Sequence, residues 1–230
     1  MASKGPRRLT LAALGSGARR LADRDADLGA VIDRLGAPPM WGRNPGFPTL
    51  IRIILEQQVS LAAARTVYRR LIAHLGAMTP ESVYEIQVGG LRDFGLTRQK
   101  AGYCHGLAWR ILEGRLDLTS VARSPDDAGR EALLGVPGLG PWSVDIYYLM
   151  ALRRPDIWPQ GDLALASALR EIKHLGALPT NDEQQALAGA WAPWRSVAAR
   201  VLWMHYLAAR GQYQPRPTNR RIEPPAPIRR

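Results

Sequence analysis

Three observations predict an all-α protein. Apolar residues recur at three-and-four spacing through most of the 230 residues, capping residues and glycines bracket those stretches, and no run alternates cleanly enough to be a strand. Leu50, Ile53, Ile54 and Leu55 fall on one helix, which Pro48 opens in its first turn. Ser60 caps the next helix, with Leu61, Ala64, Val67, Tyr68, Leu71, Ile72 and Leu75 in register and Gly76 ending it. Thr79-Pro80-Glu81 and Ser124-Pro125-Asp126 each read as an N-cap, a proline at the first helical position and an acid. Thr97 caps a helix that runs to about Glu113 and closes at Gly114. Helices over 126–134 and 142–152 flank a glycine turn, and the periodicity returns over 163–175 and 194–209.

Residues 1–22 read as a basic tail and 211–230 as a Pro/Arg-rich tail, both expected to be disordered. Residues 23–210 form one globular domain, with a soft subdomain boundary near 117–124. The chain carries a net charge of +11, but the distribution matters more. Lys4, Arg7, Arg8, Arg19 and Arg20 face no acid in the first twenty residues, and five arginines face only Glu223 in the last twenty. That leaves +2 for residues 21–210, so high basicity is weak evidence for a nucleic-acid partner. No apolar run reaches the roughly 18 residues that span a membrane, and no secretory leader is evident. A disordered basic tail is favoured over a mitochondrial presequence. Cys104 is the single cysteine, which excludes an internal disulfide, a cysteine-based zinc site and a four-cysteine iron–sulfur cluster.

The segment Val136-Pro137-Gly138-Leu139-Gly140-Pro141-Trp142 carries the functional signal. Two glycines in a turn between helices leave backbone N–H groups unpaired, as an anion site for phosphate requires, and Ser143 lies in the next first turn. Read alone, the same residues also suit an ordinary turn. Asp162 follows in Trp158-Pro159-Gln160-Gly161-Asp162. It can cap a helix, it can place a carboxylate beside the phosphate grip, or it can do both. Most of the seven tryptophans suit core packing, but Trp142 stands next to the hairpin, where a flat wall suits an extruded base.

These residues resemble the helix–hairpin–helix (HhH-GPD) DNA glycosylases, most closely the alkylation-repair branch typified by 3-methyladenine DNA glycosylase II. The likeness extends to the helix ending in Gln57-Gln58-Val59-Ser60 and covers about residues 23–210. It implies two helical subdomains flanking a DNA-binding cleft, with the early helix at 23–35 returning to the C-terminal half. It implies Asp162 as the catalytic aspartate, Trp142, Trp203, Tyr147 and Phe47 around the base, and Val136, Gly138, Gly140 and Ser143 on DNA phosphate. Gln58 falls at the wedge that enters the duplex, with Gln57 a second candidate. Trp142 stands where bifunctional relatives carry a lysine nucleophile, and neither Lys100 nor Lys173 occupies that position. Ile146 departs from an aromatic in this branch, Trp158-Pro159 replaces the usual residues before the aspartate, and no extra N-terminal domain is expected.

The resemblance thus implies a monofunctional glycosylase that flips alkylated purines of the 3-methyladenine or 7-methylpurine type from double-stranded DNA and hydrolyses the N-glycosidic bond without lyase activity. No cofactor is required, although hairpin carbonyls of relatives can hold Na+ or K+. A monomer is expected, in the nucleoid of a bacterium or the nucleus or mitochondrion of a eukaryote. The rivals are a non-catalytic DNA-binding module, which would lack an aromatic cage at Asp162, and a glycosylase for oxidised or mismatched bases.

Overall fold

Local chemistry sets where most helices begin. In the computed structural model, which describes residues 7–214, Thr10, Ser60, Thr79, Thr97, Asp117, Asp162 and Thr180 each accept a backbone N–H at a helix start. The elements are α1 (Leu11–Arg24), α2 (Ala26–Leu35), α3 (Phe47–Glu56), α4 (Leu61–Leu75), α5 (Pro80–Glu85), α6 (Gln87–Asp93) and α7 (Arg98–Leu112). There follow α8 (Leu118–Arg123), α9 (Asp126–Leu134), α10 (Pro141–Ile146), α11 (Leu163–Ile172), α12 (Asn181–Gly189) and α13 (Arg195–Ala209). No strand occurs among the described residues, as the periodicity predicts.

Three local expectations need correction. Ser124 does not cap α9; its hydroxyl bonds back to Ser120 O at 2.9 Å and Pro125 takes the cap position. The helix expected over 142–152 is α only to Ile146, then widens to a π-helix over Tyr147–Ala151. The segment 117–124, read as a soft boundary, holds α8, which packs on α9.

The N-terminal tail is the larger correction. Residues 10–22 are not disordered: Thr10 caps α1, and Leu9, Leu14, Ala18 and Leu21 are buried. Gly17 is no sign of flexibility, because a Cβ there would press on the Trp194 ring at 2.8 Å. Arg19 and Arg20 therefore lie on an ordered helix. Residues 211–214 follow α13 without helix, while 1–6 and 215–230, the rest of the two expected tails, lie outside the described residues.

Two helical groups result. Helices α1, α2, α11, α12 and α13 pack together, so the N-terminal helices do return to the C-terminal half, and α3 to α10 form the other group. Asp25 joins α1 to α2 and accepts from Lys173 Nζ at 2.7 Å and from Trp191 Nε1 at 2.8 Å. Arg200, fully buried on α13, donates to Met40 O, Ser196 O and Leu149 O and so ties the π-helix to the C-terminal group. Burial pushes its guanidinium down to about 9, helped by the charge of Arg153, which leaves it protonated at neutral pH. Helix α3 buries Leu50, Ile51, Ile53 and Ile54 almost completely, each contributing about 1.5–3 kcal/mol. That anchors the loop at its C-terminus, where the site begins.

Candidate active site and nucleic-acid interface

The two hairpin glycines answer different demands. Gly138 has φ +93°, and a Cβ on it would overlap the Tyr103 ring. Gly140 is extended, at φ −80°, and a Cβ there would meet nothing within 4 Å. Its bareness leaves room for something outside the chain. The backbone N–H groups of Gly138, Gly140 and Trp142 have no hydrogen-bond partner among the described residues, as expected at the entry to a helix.

The other hairpin candidates face inward. Val136 is buried, its N–H held by Leu133 O and its carbonyl by Leu139 N–H, so it shapes the turn. Ser143 is buried, and its Oγ accepts from Gln57 Nε2 at 2.9 Å. The same Gln57 amide donates to Gly138 O at 2.8 Å. Gln57 is thus a tie between α3 and the hairpin and not a wedge. Gln58 is exposed, with φ +54°, at the tip of the loop. Lys100 fixes that loop from behind, its Nζ donating to Leu55 O at 2.9 Å and Gln57 O at 2.6 Å. Val59 and Leu61, 47% and 59% exposed, follow Gln58 in the chain, and Leu163, 78% exposed, follows Asp162.

Asp162 sits at the N-terminus of α11, only 9% exposed. One oxygen, Oδ1, accepts the Leu165 N–H at 2.9 Å and the Trp203 indole N–H at 3.3 Å. The other, Oδ2, accepts the Trp142 indole N–H at 3.0 Å. Helix cap and aromatic setting therefore coincide. A carboxylate offers about four acceptor positions; three are taken, and the remaining one is on Oδ2. Trp142, from the hairpin helix, and Trp203, from α13, bring both helical groups to this one side chain.

Three of the four expected base-pocket aromatics are buried, Trp203 among them at 8% exposed. Tyr147 has no exposed surface, and its hydroxyl accepts the Gly46 N–H at 3.0 Å; burial, opposed by that hydrogen bond, raises its pKa. Phe47, next in the chain, is 5% exposed. The structure makes Tyr147 a support behind the site and not a wall of it. Of two cavities, of about 380 and 450 Å³, neither is lined by Asp162, Trp142 or Trp203, although Val136 lines the smaller one.

Asp145 escaped the sequence reading. It is 2% exposed on α10, takes the Gln160 N–H on Oδ2 at 3.0 Å, and pairs through Oδ1 with Arg130 at 2.5 Å. Burial raises its pKa against the pull of the Gln160 N–H and of Arg130. Gln160 precedes Asp162 by two residues, so Asp145 ties the hairpin helix to the loop that presents the aspartate. An acid three residues after Trp142, among apolar neighbours, was the available signal. No group of three or more potential metal-ligating side chains occurs among the described residues.

A glycine hairpin between two helices, beside an aspartate that caps a third, is the arrangement of a helix–hairpin–helix protein. Residues 51–195 match the HhH-GPD superfamily of base excision DNA repair proteins, and the chain belongs to that superfamily. Bacillus subtilis YfjP, named as a candidate DNA-3-methyladenine glycosylase, is 27% identical, over 76% of this chain and 64% of its own length. Mycobacterium tuberculosis AlkA, named as a candidate bifunctional transcriptional activator and DNA repair enzyme, is 32% identical over 80% of this chain. The chain spans only 41% of that protein. The 3-methyladenine DNA glycosylase Mag1 of fission yeast, solved with abasic DNA, shares the fold at a TM-score of 0.76. It is 22% identical, covering 86% of this chain and 99% of its own. No described helix is long and apolar enough to cross a membrane.

Proposed function

We propose that this protein is a monofunctional DNA glycosylase that removes alkylated purines of the 3-methyladenine or 7-methylpurine type from double-stranded DNA. One observation carries the reading: the Asp162 carboxylate is fixed by two indole N–H groups and a helix N-terminus, with one acceptor position of Oδ2 unused. A module that only clamps DNA has no need for a capping aspartate braced by two tryptophans. The names of the relatives support the substrate class.

In this reading the unpaired N–H groups at Gly138 and Gly140 hold a backbone phosphate, and Gln58 fills the gap left by the extruded nucleotide. Extrusion costs a few kcal/mol, least where damage has weakened pairing. An N3- or N7-alkylated purine already carries positive charge and leaves without a strong general acid. Trp142 and Trp203 flank the base, and a cationic base gains from the indole faces. As the bond breaks, positive charge builds on the sugar and Asp162 stabilises it, its orientation fixed beforehand by its three donors. Water adds to the sugar carbon and releases a proton to solvent as the bonding pair leaves with the purine, and the products are a neutral free base and an abasic site.

A lyase step needs an amine. Trp142 provides none, and Lys100 and Lys173, the lysines of the described residues, are engaged with main-chain carbonyls and with Asp25 and Asp27. This favours a monofunctional enzyme over one for oxidised bases. We also propose that a monomer suffices, that no cofactor is required, and that Na+ or K+ can rest on the hairpin. The carbonyls of Leu134 and Leu139 accept no hydrogen bond from the described residues, whereas those of Val136, Gly138 and Gly140 already do. The substrate places the protein with the genome, in a nucleoid, a nucleus or a mitochondrion.

The test incubates duplexes bearing 3-methyladenine, 7-methylguanine, 1,N6-ethenoadenine, hypoxanthine or 8-oxoguanine with wild type and Asp162→Asn. Release of methylpurines by wild type, and its loss in the variant, is expected. Release by neither protein sinks the enzyme reading, and strand cleavage without alkali sinks the monofunctional one.

A further inference from the structure

The two helices that meet at the Gln58 loop enclose a groove of about 450 Å³ between them, lined by Arg52 of α3 and by Arg65, Tyr68, Arg69 and Ile72 of α4. Its charge is not balanced internally. Glu56, almost fully buried, pairs with Arg43 at 2.9 Å and with Arg52 at 3.0 Å and so answers the α3 side. Arg65 and Arg69 are exposed and have no carboxylate partner among the described residues. Helix α4 is also lightly packed for its fifteen residues, with only Ala64 and Leu71 buried. A helix so exposed, with two unanswered guanidinium groups over a groove, suits a polyanion better than another protein face.

We propose that Arg65 and Arg69, with Arg52 beside them, form a second phosphate-binding site that holds the DNA backbone on the far side of the wedge from the hairpin. This rests on the reading of the chain as a DNA-binding glycosylase. The spacing fits a strand. Arg52 is six residues from Gln58, Arg65 seven and Arg69 eleven, or about 9 to 16 Å along the helices at ~1.5 Å per residue. Successive phosphates advance about 3.4 Å along the duplex axis, so these arginines address phosphates roughly three to five nucleotides from the wedge. Arginine is suited to the task, since its planar fork binds phosphate oxygens in pairs. The site would help a globular region with so little net charge to hold a duplex, by placing two guanidinium groups without carboxylate partners among the described residues on one strand path.

The experiment measures binding of the full chain and of Arg65→Ala/Arg69→Ala to a 20-base-pair duplex with a stable abasic analogue, by fluorescence anisotropy across a KCl series. Each lost phosphate contact removes about 0.9 from the slope of log affinity against log salt, so a fall of about 1.8 is expected, with up to about 60-fold weaker binding at 0.1 M salt. The Arg65→Lys/Arg69→Lys variant recovers most of the slope. Neutral methylphosphonate linkages three to five nucleotides from the analogue weaken wild type in the same way and add nothing to the alanine variant. An unchanged salt slope, or an alanine variant that loses only inorganic phosphate binding and keeps its DNA affinity, overturns the proposal while leaving the Asp162 reading intact. If wild type fails to bind the duplex at all, both fall together.

Discussion

Gln57 and Gln58 are chemically identical neighbours: the structure makes Gln57 a tie to the hairpin, the proposed function makes Gln58 the wedge, and substituting each separates the two roles. Gln57→Ala removes two hydrogen bonds, to Gly138 O at 2.8 Å and Ser143 Oγ at 2.9 Å, and leaves Ser143, which is buried, without its donor. At about 0.5–1.5 kcal/mol each, the loss comes to about 1–3 kcal/mol. For a chain of 230 residues that lowers Tm by roughly 2–12 °C. The hairpin also loses its tie to α3, so affinity for undamaged duplex falls with it. Gln58→Ala costs nothing in packing, because the side chain is exposed, and Gln58→Gly relieves the positive φ and raises Tm slightly. Both Gln58 variants lose base extrusion, read by 2-aminopurine fluorescence opposite the lesion. Thermal melts and anisotropy on the three variants decide the matter. A Gln57→Ala protein with wild-type Tm but no extrusion would refute the assignment and make Gln57 the wedge.

Other expectations follow from the same geometry. Gly138→Ala is destabilised by its positive φ and by Tyr103, whereas Gly140→Ala folds with unchanged Tm and binds DNA more weakly; equal melts would contradict this. Trp142→Phe keeps a ring but removes the donor to Asp162 Oδ2, and hydrogen bonds to charged groups are worth about 1.5–3 kcal/mol. Base release at saturating substrate should fall by at least about tenfold, and an unchanged rate would show that the indole N–H is idle. Burial pushes the Cys104 thiol up to about 12, so a thiol reagent should label it only as fast as the protein unfolds; rapid labelling of native protein would refute that burial. Burial alone would raise the Asp25 pKa, but hydrogen bonds from Lys173, Trp191 and Leu28 and the Lys173 charge lower it. Burial likewise opposes the raised pKa of Lys173, where Asp25 and Asp27 prevail. The Asp25 contribution to stability is thus present above 3.8 and lost as pH falls through its lower folded value; that of Lys173 is lost as pH rises through its raised one. Asp25→Asn should therefore lower Tm strongly at neutral pH and little in strong acid, and a constant gap across that range would count against it.

The legible parts of this fold are those whose causes are local. Ser60, Thr79 and Thr97 cap where their neighbours in sequence say they should, and Asp162 could be read as a cap from the four residues around it. Helix α1 was missed because Gly15, Gly17 and clustered arginines imitate a flexible tail, while the reason for Gly17 is the Trp194 ring from the far end of the chain. Tyr147 was placed at the base for want of any sign that the backbone widens to a π-helix there and turns its hydroxyl to Gly46. Gln57, Asp145 and Lys100 act over 81, 15 and 45 residues of chain, and no spacing rule reaches that far.

The strap from Asp145 to Gln160 makes a ruler of the site. That bond and the one from Trp142 to Asp162 hold hairpin and aspartate together, so under the proposed function a fixed span would separate the gripped phosphate from the sugar to be attacked. Nucleic acid with a different span fails on length and not on chemistry. A duplex in A-form geometry, such as a DNA–RNA hybrid carrying the same methylated purine, would present the same leaving group with a different spacing of phosphates. Discrimination of that kind would operate before any bond is strained, and the buried Asp145 carboxylate would set it together with the Trp142–Asp162 bond.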